Sequence, residues 1–546
     1  SYSDNNKVFK GANGPLIGLM LWPRTDDAKN YLNPDGRRRR AFPNLAGSAE
    51  VDNPYFNVEK NKLYDETNRV FASSQLIITP LKNLTITTRA GFDISATQSQ
   101  ILKHPESNYG FALGGSFDQL SNNTKNFNYN TFVTYKKDNL FSKFGINVLA
   151  GAEAKTEDSR NLGAYGEKFL EPNFSSINNT DGLTRRALST IRQRRVASIY
   201  GQFQINYDKI VYLTATGRND WSSTLPVQYN SFFYPSISTS INFTDIKGLE
   251  GLKSVLNYGK IRASIAQVGK DASPYKVLAA LQYEPLTGGG YRYGFTGPNP
   301  NLKPEMATSY EFGTELSFLK NRINLEVTYY NKKTDEQIVK DIRASYGTGY
   351  VLTDLNGGNT QNHGLEVLLT AKPILNDNFS WNVIANFERS RSKLLSLPRD
   401  LPESYNSDTW LYGNVRGGAM PGQALTQFTG NFYLKNKDGQ LLINPGSGLP
   451  VRSTAFIPNG SDRWPDWTLG LTNEFGYKAF RLSFLVDFRK GGDVLNATQH
   501  FLTTRGLSLK TLDRESPKLI EGILQDGLEN SANPTKNNIV VNPYYV

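Results

Sequence analysis

The sequence predicts an all-β chain folded as a large antiparallel up-and-down transmembrane β-barrel, and three observations carry that prediction. Apolar and polar residues alternate with a period of two in segments of about ten residues. Short and long connections follow each other in strict rhythm, as the two rims of a membrane barrel require. The composition is rich in rings yet poor in plain aliphatic surface. Its 546 residues hold 30 Phe, 29 Tyr and 6 Trp, 12% aromatic within 38% hydrophobic, too many rings for a disordered chain and too few apolar residues for several soluble cores.

The alternation is cleanest at 84–96. Leu84, Ile86, Thr88, Ala90, Phe92 and Ile94 fall on one face, and Thr85, Thr87, Arg89, Asp93 and Ser95 on the other. The same pattern predicts strands at 73–79, 127–135, 144–152, 197–207, 210–216, 233–243, 259–267, 310–318, 323–331, 365–371, 379–387, 467–477 and 480–488, about fourteen in all. Short turns are expected at 80–83, 208–209, 320–322, 373–378 and 478–479, and long polar loops at 97–126, 155–194, 269–308, 332–361 and 390–465. Ten tilted residues match a hydrocarbon core of about 30 Å. Such a wall needs only every second residue apolar and keeps a wet interior, which accommodates a mean hydropathy of −0.48. Rings near strand ends, Tyr135, Tyr207, Tyr329, Tyr330, Phe475, Tyr477, Phe480 and Phe488, are expected in interfacial girdles. The competing reading, a soluble sandwich, places them in a dry core.

No uninterrupted apolar run approaches a helical span, and no signal peptide opens the chain. The absence of Cys removes disulfides, thiolate metal sites and Cys nucleophiles. His occurs only at 104, 363 and 500, without ligand spacing, and no nucleophile elbow is present, so neither catalytic nor metal-binding residues are assigned and no cofactor is expected. The net charge is +11, with the sharpest basic run at Arg37, Arg38, Arg39 and Arg40 and a second at Arg192, Arg194 and Arg195. Neither run sits in a nucleic-acid module; both are read as solvated or headgroup-facing loops. Residues 436–443 read as an Asp-Gly hairpin. The 390–465 loop carries Tyr405, Trp410, Tyr412, Tyr433 and Trp464 among many Asn, Asp and Gly. Rings with amides can stack on and hydrogen-bond a sugar or peptide, and Trp410 and Tyr412 are the candidate substrate-binding residues, against the alternative that the rings only pack the loop.

Several segments together resemble one family. Asp52-Asn53-Pro54-Tyr55-Phe56, Pro80-Leu81-Lys82-Asn83-Leu84, Asn299-Pro300-Asn301-Leu302-Lys303-Pro304-Glu305, Asn362-His363-Gly364-Leu365-Glu366, Pro465-Asp466-Trp467-Thr468-Leu469-Gly470 and Gly491-Gly492-Asp493-Val494 resemble the barrel of TonB-dependent outer-membrane transporters, nearest the SusC/RagA branch of Bacteroidetes. The resemblance spans nearly the whole chain, in the family's order. It implies part of a 22-stranded barrel around an N-terminal plug, a SusD-like surface lipoprotein as lid, energy from TonB, ExbB and ExbD, and oligosaccharide or peptide substrates. It also implies contact with outer-membrane lipid and lipopolysaccharide and a possible homodimer of the complex, with 299–305 on the outer side and the 320–322 turn in the periplasm.

About fourteen strands fall short of 22, and no plug, TonB box or carboxypeptidase-like domain is recognised before Tyr64. The chain, 1–546, is therefore expected to be a partial barrel domain internal to a longer protein. Import of a bulky nutrient is the leading functional expectation. The alternatives are a SusC-like barrel serving as a structural subunit of a larger outer-membrane assembly, and a surface β-rich adhesin.

Overall fold

The computed structural model describes residues 1–11, 13–43, 50–279, 281–284, 290–407 and 414–542. One sheet dominates it. It holds sixteen strands, of which Thr296–Gly297 lies off the main path. The path follows chain order: β1 (Tyr2–Lys7), β2 (Lys62–Leu81), β3 (Leu84–Lys103), β4 (Ser116–Leu140), β5 (Phe144–Glu167), β6 (Arg186–Tyr207), β7 (Val211–Ser222), β8 (Ser231–Asn242), β9 (Leu256–Lys270), β10 (Glu305–Phe318), β11 (Ile323–Arg343), β12 (Leu352–Leu375), β13 (Phe379–Ser396), β14 (Pro465–Tyr477) and β15 (Phe480–Gly491). Each strand is antiparallel to the next, so the sheet is a simple meander.

The register turns the sequence alternation into two faces. Leu84, Tyr135, Val148, Phe203, Ala215, Ile237, Ile265 and Tyr310 lie opposite one another across β3 to β10, an unbroken apolar row. One residue along, the row reads Thr85, Thr134, Leu149, Gln202, Thr216, Ser236, Ala266 and Ser309, and a hydroxyl pair, Thr216 with Ser236, closes at 2.5 Å. The apolar row is left open, with Phe203 48% and Ile237 53% exposed. Among the described residues the buried hydrophobic clusters are small, one around Leu225, Phe232, Ala272 and Leu302 and another around Leu394, Leu397 and Ala419. An exposed apolar face of this extent needs lipid, and the clusters among the described residues are too small to be the core of a soluble sandwich.

All fourteen expected strands are present, but two features differ from expectation. β1 is added at the edge; its polar sequence, Tyr-Ser-Asp-Asn-Asn-Lys, carries no apolar alternation to read. The strands also run well past ten residues, to 25 in β4 and 24 in β5. Their outer ends alternate between polar residues on both faces, so the expected loop at 332–361 shrinks to 344–351. Backbone pairing does not require greasy side chains once the ladder has left the membrane.

Short turns share one edge. At the β6–β7 turn Asp208 and Lys209 both hold positive φ, 54° and 59°, the mirror-image turn that matches strand twist. Phe144 meets Tyr207 there in a tilted ring contact at 5.1 Å, and Phe379, Tyr477 and Phe480 occupy one cross-strand row at the same edge, forming the expected girdle. Tyr330 is a correction: it lies opposite Gly364 on the polar face, where its hydroxyl occupies the space a Cβ at Gly364 would need. On the opposite edge lie the long connections, including 8–61, 271–304 and 397–464. The 299–305 segment is on this side and the 319–322 turn on the other, as the resemblance implies. Among the described residues no helix is long and apolar enough to cross a membrane.

Candidate functional site: the polar wall and the loop-side cavity

In a closed wall the polar face turns inward. There a cavity of 490 Å³ is lined by Gln204, Tyr212, Ser238, Arg262, Glu311 and Thr328, among others. A neighbouring cavity of 430 Å³ shares Arg262 and Thr328 and continues to Glu366, Asn386, Glu388 and Thr468. Arg262 bridges the two. Its guanidinium crosses Gly313, where a Cβ would stand 2.6 Å from Nε, and its Nη2 donates to Thr328 at 2.7 Å. Lys260 pairs with Glu315 at 3.0 Å beside it. Hydroxyls, amides and carboxylates of this kind hold water and polar solutes.

The loop side is built differently. Within 397–464 four short strands, Ser404–Ser407, Val415–Ala419, Gln427–Gly430 and Ile457–Asp462, form a small antiparallel sheet. Against it opens a cavity of 710 Å³ lined by Ile338, Val339, Leu394, Leu397, Leu401 and Glu403, among others. Glu403 is clamped by Arg416, whose Nε donates at 3.2 Å, and by the Thr429 hydroxyl. A Cβ at Gly418 would meet Glu403 Oε1 and Thr429 Oγ1 at 2.2 Å, so the carboxylate passes over the strand only because that residue is glycine. Asp341, Lys340 and Arg343 also line the cavity, so its apolar stretches stand beside charges of both signs and suit a ligand that is partly apolar and partly polar. No sequence pattern marked this cavity, because its walls come from segments far apart in the chain.

Trp410 and Tyr412 lie outside the described residues, as does the Tyr405 side chain; 408–413 falls between the paired strands Ser404–Ser407 and Val415–Ala419. Trp464 donates from Nε1 to Ser390 at 2.8 Å, and Tyr433 is exposed. The 436–443 hairpin forms as expected, with Gly439 at φ 80° and its N–H on the Asn436 carbonyl.

The basic run at 37–40 is corrected most sharply. Arg38 is 6% exposed and faces Asp52 at 3.1 Å and Glu50 at 3.7 Å; Arg40 pairs with Glu50 at 2.7 Å and Arg37 with Glu106 at 2.8 Å. Burial pushes the Asp52 carboxyl above its usual range, with the Arg38 charge pulling the other way. Burial also pushes Glu50 up, but the Arg40 hydrogen bond and the Phe42 and Ala41 amides leave it below its usual value. Arg194 is similarly committed, to Asp271 at 2.8 Å and Glu157 at 2.7 Å. Carboxylates distant in sequence supply the partners, which local reading cannot see.

Two of the motifs behind the resemblance prove to be loop-side seams. Asn53 caps α1 (Pro54–Lys60) by accepting from the Tyr55 and Phe56 amides at 2.8 and 3.2 Å, Pro54 takes the first helical position, and Phe56, fully buried, meets His104 in an edge-on contact at 5.2 Å. Asn299 donates to the Asp354 carbonyl at 2.9 Å, Leu302 is fully buried, and Asn356 exchanges two hydrogen bonds with the Lys303 backbone at 2.9 Å.

An antiparallel meander with a lipid-facing apolar face, a polar inner face, tight turns at one rim and large loops at the other defines a multi-pass outer-membrane β-barrel protein. The chain belongs to the family described as TonB dependent receptor-like, beta-barrel, whose model matches residues 19–492. Among curated relatives it is 25% identical to TonB-dependent receptor P3 of Formosa agariphila over 481 residues, 82% of this chain and 47% of the relative. It is 24% identical to TonB-dependent receptor SusC of Bacteroides thetaiotaomicron over 392 residues, 66% of this chain and 37% of the relative. Its fold is similar to the RagAB peptide importer in the open-open state, with TM-score 0.69 and 19% identity over 90% of this chain and 54% of that chain. The chain spans about half the length of the first of these relatives.

Proposed function

We propose that the chain is the greater part of the barrel wall of a transporter that imports a bulky nutrient, an oligosaccharide or peptide, across the outer membrane. The observation that carries this reading is the succession of spaces along one wall: a partly apolar cavity on the loop side, then hydrated cavities sharing Arg262 on the inner face. A ligand caught by the first can be passed through the second only if a plug moves, and the plug, in the remainder of the protein, answers to TonB, ExbB and ExbD. A SusD-like lipoprotein closes the loop side as a lid, and Trp410 and Tyr412 contribute stacking surface to the ligand. Two copies of the complex associate. In support stand the family match and the likeness to SusC and to a peptide importer. The test is purification of the native complex in detergent, with mass spectrometry of what elutes with it. A SusD-like lipoprotein together with a glycan or peptide is the expected result; several non-transport proteins and no small molecule would favour a structural subunit instead.

A further inference from the structure

The chain holds three Asn-Gly pairs, Asn13-Gly14, Asn356-Gly357 and Asn459-Gly460. Such a pair can react with itself, because glycine has no Cβ to keep its amide nitrogen away from the preceding side chain. Two of the three are held back from that reaction. Gly14 is buried, and its N–H donates to the Gly11 carbonyl at 2.9 Å. Asn356 Nδ2 donates to the Lys303 and Glu336 carbonyls at 2.9 and 2.8 Å, and its Oδ1 accepts from the Lys303 amide at 2.9 Å. The third pair is set up differently. Asn459 and Gly460 are exposed, on Ile457–Asp462 at the edge of the small loop-side sheet. Thr429 faces Pro458 and Gln427 faces Asp462, so one residue opposes three and the backbone leaves the ladder at 459–461. Gly460 holds φ 83° there. Asn459 Oδ1 accepts two hydrogen bonds from the residue beyond that glycine, from the Ser461 amide at 3.0 Å and from its hydroxyl at 2.6 Å. Among the described residues Asn459 Nδ2 has no hydrogen-bond partner, so nothing retains it as a leaving group.

We infer that Asn459 is a site of self-modification, where the Gly460 nitrogen attacks the side-chain amide carbon and asparagine becomes aspartate or isoaspartate. The bond from Gly460 N to Asn459 Cγ forms, negative charge gathers on Oδ1, and the Cγ–Nδ2 bond then breaks. The amide nitrogen leaves as ammonia with the proton that Gly460 gives up. Water opens the resulting cyclic imide on either side, leaving a carboxylate and, in the isoaspartyl product, a main chain routed through the side chain. Ser461 supplies what the step needs. Its two donors already point at the oxygen that becomes charged, as in an oxyanion hole, and the bond to its amide folds the side chain back toward the glycine nitrogen. The product places a new negative charge near Asp462, which accepts from Thr426 at 2.6 Å and whose N–H donates to Asp493 at 2.8 Å. Like charge and a lengthened backbone loosen the Gln427–Asp462 end of the small sheet. The inference is independent of the imported nutrient.

The test incubates the full-length protein in detergent at mildly alkaline pH and reads each Asn-Gly pair by peptide mass spectrometry, with electron-transfer fragmentation to tell aspartate from isoaspartate. Trypsin releases 453–463, which isolates Asn459. In the folded protein Asn459 is expected to convert about tenfold faster than Asn13 or Asn356, and Ser461→Ala to slow it about tenfold by removing the hydroxyl donor. Heat-modifiable mobility on gels confirms that the variant remains a folded barrel. In urea the three pairs converge and the effect of Ser461→Ala disappears, because the geometry is gone. Amide protection in 427–430 falls in step with conversion. Equal rates at the three pairs in the folded protein, conversion unaltered by Ser461→Ala, or a slowing that persists undiminished in urea overturns the assignment, whatever the outcome for nutrient import.

Discussion

His104 joins the 8–61 segment to the β3–β4 connection. Its Nδ1 accepts from the Glu106 amide at 3.2 Å, its backbone N–H donates to Asn61 at 2.8 Å, and its ring abuts Phe56. Burial depresses its pKa below the ordinary 6.5, so the folded loop prefers the neutral ring. A depressed value means the stabilisation is complete above 6.5 and is withdrawn as pH falls toward and through the folded value. With the pH dependence of intrinsic exchange divided out, the protection factors of the amides in 50–57 and 104–115 are therefore expected to fall as pH drops from about 7 to about 5, and His104→Gln to flatten that response. An unchanged slope in the variant would place the titrating group elsewhere. Gly418 gives a second residue-scale prediction. Gly418→Val should cost about 1–3 kcal/mol of loop stability by forcing Glu403 and Thr429 apart, read as faster protease cleavage within 404–462. At this scale the sequence was least informative. The Asp52 to Phe56 motif could be recognised as a pattern, but its cap, its buried ring and its carboxylate contact with Arg38 needed partners supplied by the fold.

Strands were the most legible level, because a period of two is written in each segment without reference to any other. Ile265 and Ser264 make the point testable. Ile265 lies in the outward apolar row; Ser264 faces the inner cavity one residue away. Ile265→Arg is expected to cost about 2–4 kcal/mol near the membrane midplane, whereas Ser264→Arg, pointing into water, should leave folding nearly unchanged. Urea titration of the full-length barrel in lipid vesicles separates the two, and equal costs would mean that the faces are wrongly assigned. Strand length was not legible beyond the membrane. The outer half of β4, Ser116 to Asn126, is polar on both faces apart from Phe117 and Leu120 and reads as loop, yet it pairs residue for residue with β3 and β5. What holds it is the neighbouring ladder, a non-local cause. The small sheet within 397–464 escaped for the same reason.

At the scale of the molecule, the meander has two ends, β1 and β15, and among the described residues neither pairs with the other. β15 runs 12 residues, every one exposed. About half of its N–H and C=O groups point to the free side, and in hydrocarbon each unsatisfied group costs several kcal/mol. The sum, on the order of tens of kcal/mol, exceeds the roughly 5–15 kcal/mol by which folded domains are usually stable. On the proposal that the wall is one part of a larger barrel, further strands satisfy these edges; the chain spans 47% of the P3 relative. Residues 1–546 expressed alone and offered to lipid vesicles should not acquire the heat-resistant compact mobility of a closed barrel, while the full-length protein should. If the isolated stretch instead inserts as a stable barrel, β1 and β15 must pair directly. The wall would then be complete with these strands, and the proposal that it is one part of a larger barrel would fall.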